Sequence, residues 1–307
     1  MLFTFMVIVM ITFVLIRILP VEMPTDKAQA EAIKMRWEAL GYNEPILKQF
    51  YIYIRNIVTK WDFGTSWKIQ MLAPAAEVLT SRLPYTVMVN FFSMIIAVPL
   101  GIAFGIYAAV RKNKWDDALI STLVMVFISV PSYVYAFLVQ YFLSFKLGWF
   151  PLIVLSEHDA GGIFTWAMLR SMIPAIISMS FGSIAGYCRF VRAELTESLT
   201  SEYMLLARTK GLTRAQATSR HALKNAMVPI LPSILSELIA LMSGSLIIEQ
   251  IFSLPGVGQL YIYSINLLDY DVFMMDCIFY TFVGLLAGIV TDLSYGFIDP
   301  RIRMGER

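Results

Sequence analysis

The chain has 307 residues, 58% of them from the hydrophobic set and 15% charged, with a mean hydropathy of +0.68, which excludes an ordinary soluble domain and makes the bilayer the expected solvent. The formal net charge is only +2, so no overall basic surface points to nucleic acid, and what matters is where the charges fall.

Residues 2–19 are the first apolar segment. A basic n-region and a small-residue cleavage site are both missing around it, so it reads as a retained spanning helix rather than a signal peptide. Residues 21–84 carry mixed charge. Over residues 26–40 charge alternates with Ala, Met and Leu, which predicts a surface helix. Trp61, Trp67 and several tyrosines suit the headgroup level, so the stretch is expected to form a small external cap. Five further apolar segments follow at 85–110, 119–143, 173–190, 227–252 and 272–298, all predicted helical. Pro99, Pro131, Pro174, Pro229 and Pro232 lie inside or at the ends of these segments and are expected to kink them. The fold class is thus all-α: a polytopic membrane protein with six spanning helices and an external cap after the first. Residues 1–20 hold the first span, 21–84 the external segment and 85–307 a core of five spans.

Orientation follows from the short loops, because Lys and Arg accumulate on the cytoplasmic side. Arg111, Lys112 and Lys114 follow the second segment. Arg189, Arg192, Arg208, Lys210, Arg214, Arg220 and Lys224 surround the loop after the fourth, and Arg301, Arg303 and Arg307 follow the sixth. The loop 253–271 has no Lys or Arg, and Glu157 and Asp159 sit in the loop after the third segment. Both termini are therefore expected in the cytoplasm.

Catalytic chemistry has little to stand on. The two histidines, His158 and His221, fall in loops assigned to opposite faces, and no His-Glu-x-x-His, Gly-x-Ser-x-Gly or Gly-x-x-x-x-Gly-Lys-Ser/Thr pattern occurs. Cys188 and Cys277 lie in different apolar segments at opposite faces, against a disulfide. The expectation is no catalytic residue, no metal and no ATP site on this chain.

The informative stretch is the loop 192–224, RAELTESLTSEYMLLARTKGLTRAQATSRHALK, which is too long for a turn. Thr200 or Ser201 can cap a helix running to about Lys210, Gly211 suits a left-handed stop, and Thr213 can cap a second short helix through His221. Tyr203, Ala207 and Gly211 recur at spacing four and share a face, with Arg208 and Lys210 projecting elsewhere. A small, partly apolar knob with a basic rim suits insertion into another protein's cleft; the other reading is a basic loop lying on anionic lipid.

This segment resembles the "EAA" coupling loop of binding-protein-dependent ABC permeases, in the form used by oligopeptide and dipeptide permeases. The resemblance is carried by Tyr203, Ala207, Arg208, Lys210, Gly211, Leu212, Arg220, His221, Ala222, Leu223, Asn225 and Ala226. Leu205 and Leu206 replace the leading Glu-Ala of the wider superfamily, and no Leu-Pro follows at the usual place. Residues 249–258 (EQIFSLPGVG), residues 292–303 (DLSYGFIDPRIR) and Asp62-Phe-Gly-Thr-Ser66 are similar to three further signatures of the same family. The family's Pro-Gly-Asp-Pro after the first helix is replaced here by Pro20-Val-Glu-Met-Pro24.

The resemblance implies a permease subunit in the membrane of a prokaryote. It would pair with a second permease, dock two ABC ATPases that carry ATP and Mg, and receive di- or oligopeptides from an extracytoplasmic solute-binding protein. Tyr203, Ala207, Arg208, Lys210, Gly211 and Leu212 would contact the ATPases. Nickel-complex and glutathione permeases share these signatures, and an ion-coupled carrier is the rival class. Among polar groups within the apolar segments, Glu237 either lines a path and meets a substrate ammonium or is a carboxylate paired to a neighbouring helix or held protonated. Glu249 and Asp276 are expected to be satisfied by backbone or water near the outer face. Asn90 and Gln140 are expected to be helix-packing groups, and His221 a structural hydrogen-bonder.

Overall fold

The computed structural model describes residues 1–19, 27–39, 41 and 43–298. The Pro20–Pro24 stretch and Arg301, Arg303 and Arg307 lie outside the described residues. Those described are helical or in turns, with a single isolated bridge between Thr65 and Pro74. The chain divides into two compact units, residues 1–84 with 255–285 and residues 85–254 with 286–307.

The first unit contains α1 (Leu2–Ile18), α2 (Lys27–Ala39), α3 (Ile46–Lys60), α14 (Val257–Asn266) and parts of α4 (Ala75–Val110) and α15 (Tyr270–Ile298). Helix α2 matches the expected surface helix. Helix α3 was not anticipated, although Ile46, Phe50, Tyr53 and Ile57 recur at helical spacing. In α1, Val9, Phe13 and Ile16 lie on one face and pack with Tyr53 and Met274. The Phe13 ring meets Phe50 edge-on at 5.4 Å and Tyr53 in a tilted contact at 5.3 Å, ring centre to ring centre. The opposite face of α1 leaves Phe3 81% and Leu15 60% exposed, the pattern of a helix solvated by lipid.

One carboxylate organises the turn between α3 and α4. Asp269 accepts the Ser66 hydroxyl at 2.6 Å and the backbone N–H groups of Trp67, Lys68 and Ile69 at 3.2, 3.0 and 3.0 Å. Asp271 accepts from Thr65 N at 3.0 Å, and Gly64, at φ +101°, leaves no room for a Cβ beside it. Residues 65–69 therefore form a backbone nest around two acids some two hundred positions further along the chain.

The second unit is built on α8 (Trp166–Leu199). Around it pack α5 (Trp115–Ser129) and α6 (Ser132–Val139), the latter continued by a π-helical turn, Gln140–Lys146. Helix α7 (Glu157–Ala160) is a single turn. Gly101 and Gly105 let α4 approach α8: a Cβ on Gly105 would stand 2.7 Å from Val191 Cβ and 2.8 Å from the Cys188 carbonyl. This is the Gly-x-x-x-Gly device for close helix packing. At the start of α5, Asp117 receives Arg192 of α8 through two bonds of 2.6 and 2.9 Å, and Asp116 receives Arg111 at 2.6 Å.

Several expected spans are not single straight helices. Among the described residues three helices, α4, α8 and α15, are long and apolar enough to cross, and two bent pairs bring the number to as many as five; α1, at 17 residues, is a shorter apolar helix. The segment expected at 119–143 bends by 102° between α5 and α6, because Pro131 removes a donor and holds Val130 extended. The segment expected at 227–252 is α12 (Ile230–Ala240), a break, and α13 (Leu246–Ile251). Helix α8 overruns its expected end at residue 190 and reaches Leu199, held by buried Val191 and Leu195.

Gly105→Ala is expected to lower the thermal unfolding midpoint of the purified protein, by a stability loss of about 1–3 kcal/mol for an overpacked helix contact. Gly186→Ala, where an added Cβ meets nothing within 4 Å, should leave the midpoint unchanged.

Candidate functional site

The segment after α8 folds as two short helices meeting at a glycine. Ser201 precedes α9 (Glu202–Thr209), Gly211 takes φ +90°, and Thr213 closes a capping box with Gln216 at the start of α10 (Arg214–Ala217). A π-helical turn, Thr218–Ala222, and α11 (Leu223–Ala226) complete it. These boundaries match the sequence expectation closely.

The face expected to project outward is partly turned inward. Ala207 is buried in a cluster with Met204, Ala217, Ala222 and Ala226, against Leu195 of α8 and Ala109 of α4, with Tyr203 and Leu212 packed on it. The small residues let α9 and α10 lie close together, so the Tyr203–Ala207 face holds the segment to its own chain. The outward surface instead carries Arg208, Lys210, Gly211 and two large apolar side chains, Leu205 and Leu206, at 65% and 56% exposure. An added Cβ on Gly211 would meet nothing within 4 Å. These two leucines, read from sequence only as a departure from a motif, are a notable apolar exposure on a polar surface.

A single hydroxyl ties the segment to the end of α8. Ser198 Oγ donates to the Ala222 carbonyl at 2.8 Å and is hydrogen-bonded to the Tyr203 hydroxyl. Helices α8, α9 and the π turn thus share one buried node.

A second polar group lies within the apolar helices. Glu237 on α12 is bonded by the Tyr187 hydroxyl and lies 3.5 Å from Ser183 Oγ, both on α8. It is half-buried, and its carboxylate is engaged with a neighbouring helix. The break after α12 is satisfied from α4, because Asn90 Nδ2 donates to the carbonyls of Leu241 and Ser243 at 2.8 and 2.9 Å. Ser245 then caps α13. Gln140 Nε2 donates to the carbonyls of Leu152 and Ile251 at 2.8 and 3.1 Å. The two amides therefore do more than pack helices: Asn90 bonds carbonyls at the break after α12, and Gln140 ties a loop carbonyl to the end of α13. Glu249 is buried and accepts the Thr86 hydroxyl at 3.0 Å. Asp276 is wholly buried on α15, and His221 is exposed.

The comparisons with known proteins agree with one another. The family model described as binding-protein-dependent transport system inner membrane component matches residues 101–304. The chain is 34% identical over 304 residues to the dipeptide transport system permease protein of Lactococcus lactis subsp. cremoris, spanning 99% of this chain and 96% of that one. It is 30% identical over 304 residues to the glutathione transport system permease protein of Salmonella typhimurium, spanning 98% and 95%. Among solved structures it is similar to a chain in the crystal structure of an amino acid ABC transporter with histidines. The TM-score is 0.53 at 18% identity, over 72% of this chain and 94% of that one, a likeness of fold.

Ser198→Val, which removes the shared hydroxyl, is expected to loosen α9 to α11 by about 1–3 kcal/mol, the cost of stranding buried polar partners. Hydrogen exchange should then speed up over residues 200–226 and stay unchanged over residues 166–190.

Proposed function

We propose, from the premise that the chain belongs to the binding-protein-dependent transport system inner membrane component family, that it is a membrane-spanning permease subunit of an ATP-binding-cassette importer for peptides. Full-length similarity to a dipeptide permease supports the peptide cargo. The similarity to glutathione permeases supports glutathione, itself a small peptide, as the second reading.

The observation that carries the mechanism is the anchored segment 200–226. Its outer surface of Leu205, Leu206, Arg208, Lys210 and Gly211 would dock in an ATPase cleft, while Ser198, Tyr203 and Ala207 hold it to α8. Closure of two ATPases on ATP would then move α8 as a lever, and the permease pair would open outward to receive cargo and inward to release it. In this reading Tyr203, Ala207 and Leu212 transmit the movement, and Arg208, Lys210 and Gly211 touch the partner. ATP and Mg belong to the ATPases and cargo arrives from a solute-binding protein. A related second permease completes the path.

Six crossings fit this scheme: α1, α4, the α5–α6 pair, α8, α12 with α13, and α15. Both termini would then be cytoplasmic and residues 21–84 external. Glu237, between Tyr187 and Ser183, would line the path and meet the ammonium group of a peptide.

Arg208→Glu and Gly211→Val are expected to insert normally yet bind the ATPases weakly or hydrolyse ATP without moving peptide, the Arg208→Glu defect varying with salt. Wild-type ATPase stoichiometry and wild-type transport per ATP in both variants would remove this segment from the mechanism. Glu237→Gln is expected to leave assembly intact and weaken uptake of peptides with a free amino terminus more than of amino-terminally acetylated ones. Equal effects on both would give Glu237 a structural role. A cysteine placed at Gly162 should react with an impermeant reagent from outside only.

A further inference from the structure

Beside the anchored segment, the second unit has a groove of about 540 Å³ between the end of α4 and the start of α10. Its rim carries three cations, Arg111, Lys114 and Arg214, and its floor is apolar, with Ile106, Val110 and Leu223. The nearby acids are already engaged: Asp116 holds Arg111 and Asp117 holds Arg192. Lys114 and Arg214 are exposed and form no ion pair among the described residues. The groove opens where the apolar helix Ala75–Val110 ends. Next to Lys114, Trp115 stands 76% exposed, and an exposed indole at a helix end marks the level of the lipid headgroups.

We infer that this groove is a binding site for the headgroup of an anionic phospholipid. The phosphate would sit between Lys114 and Arg214, with Arg111 behind it, and the first acyl carbons would cover Ile106, Val110 and Leu223. Basic pockets at the cytoplasmic ends of spanning helices suit anionic headgroups, because two or three cations act together on one phosphate in a partly dry site. The inference rests on the cytoplasmic, membrane-level placement argued under the proposed function, but not on ATPase docking, since none of these three cations belongs to the docking surface assigned above. Because α10 forms one wall, the bound lipid would brace the second helix of the anchored segment from the membrane side.

The test uses the complete transporter in mild detergent, titrated with phosphatidylglycerol, phosphatidylcholine or glycerol 3-phosphate, with bound molecules counted by native mass spectrometry. Phosphatidylglycerol is expected to bind the wild-type complex, and phosphatidylcholine and glycerol 3-phosphate much more weakly. The double variant Lys114→Gln, Arg214→Gln should bind phosphatidylglycerol at least about tenfold more weakly, with an unchanged thermal midpoint, and Lys114→Arg, Arg214→Lys should restore it. Gly211→Val should bind it normally, which separates this site from the coupling reading. Equal lipid binding by the double variant and wild type would overturn the inference. So would glycerol 3-phosphate binding as tightly as the lipid, which would mark a soluble phosphate site. Loss of the ATPases from the double variant with lipid binding intact would also overturn it, by assigning the groove to the partner.

Discussion

The Ser198 hydroxyl and the alanines around it are the constraint on which the mechanism depends. A lever works only if the part that is pushed is fixed to the part that moves. Here the fixing is done by small side chains, Ala207, Ala217, Ala222 and Ala226, which bring two short helices against Leu195 of α8, and by one hydroxyl shared between the Ala222 carbonyl and Tyr203. Leaving any of these polar groups buried without a partner costs more than the bond itself contributes, so the three elements hold or loosen together. The bidentate pair of Arg192 with Asp117 extends the same attachment to the start of α5. A push on α9 would therefore reach α8 and α5 as one displacement.

The apolar helices show the complementary property. They are interrupted at Pro131 and after Ala240, where a hydrocarbon environment would leave carbonyls without donors. Asn90 supplies such donors to Leu241 and Ser243 after the second break, and Gln140 bonds the carbonyls of Leu152 and Ile251 elsewhere in the same unit. Side-chain amides can exchange one carbonyl for another at small cost, which suits a segment that has to change shape during a transport cycle. Glu237, held by Tyr187 and Ser183, is another polar link between α12 and α8. A peptide ammonium that displaced the tyrosine hydroxyl would replace one donor by another and leave no charge stranded.

Much of this was legible in sequence, and the exceptions have physical causes. Local signals placed the two short helices correctly: Gly211 stops the first, Thr213 caps the second, and Ser201 sits at the first helix's start without a side-chain cap bond. Which face of α9 points outward is decided by packing, and spacing alone marked Tyr203 and Ala207 without revealing that they face their own chain. The end of α8 was misplaced because the apolar run stops near residue 190 while buried Val191 and Leu195 and the ion pair of Arg192 carry the helix on. Helix α3 was missed beneath a mixed-charge composition that hid its apolar spacing. The Asp62–Ser66 resemblance was visible as a pattern; its reason, a backbone nest filled by Asp269 some two hundred residues away, is a tertiary fact. The Gly101 and Gly105 pair went unremarked in the sequence, and its partner on α8 is a tertiary fact.

The central claim is that the outer surface of α9 is covered by an ATPase in the assembled transporter. Its most direct test replaces Cys188 and Cys277 by serine, places a cysteine at the exposed Leu206, and compares maleimide labelling rates in the complete complex and in complexes stripped of their ATPases. The account expects Leu206→Cys to be protected in the complete complex and to react freely once the ATPases are removed. Equal, rapid labelling in both states would contradict it.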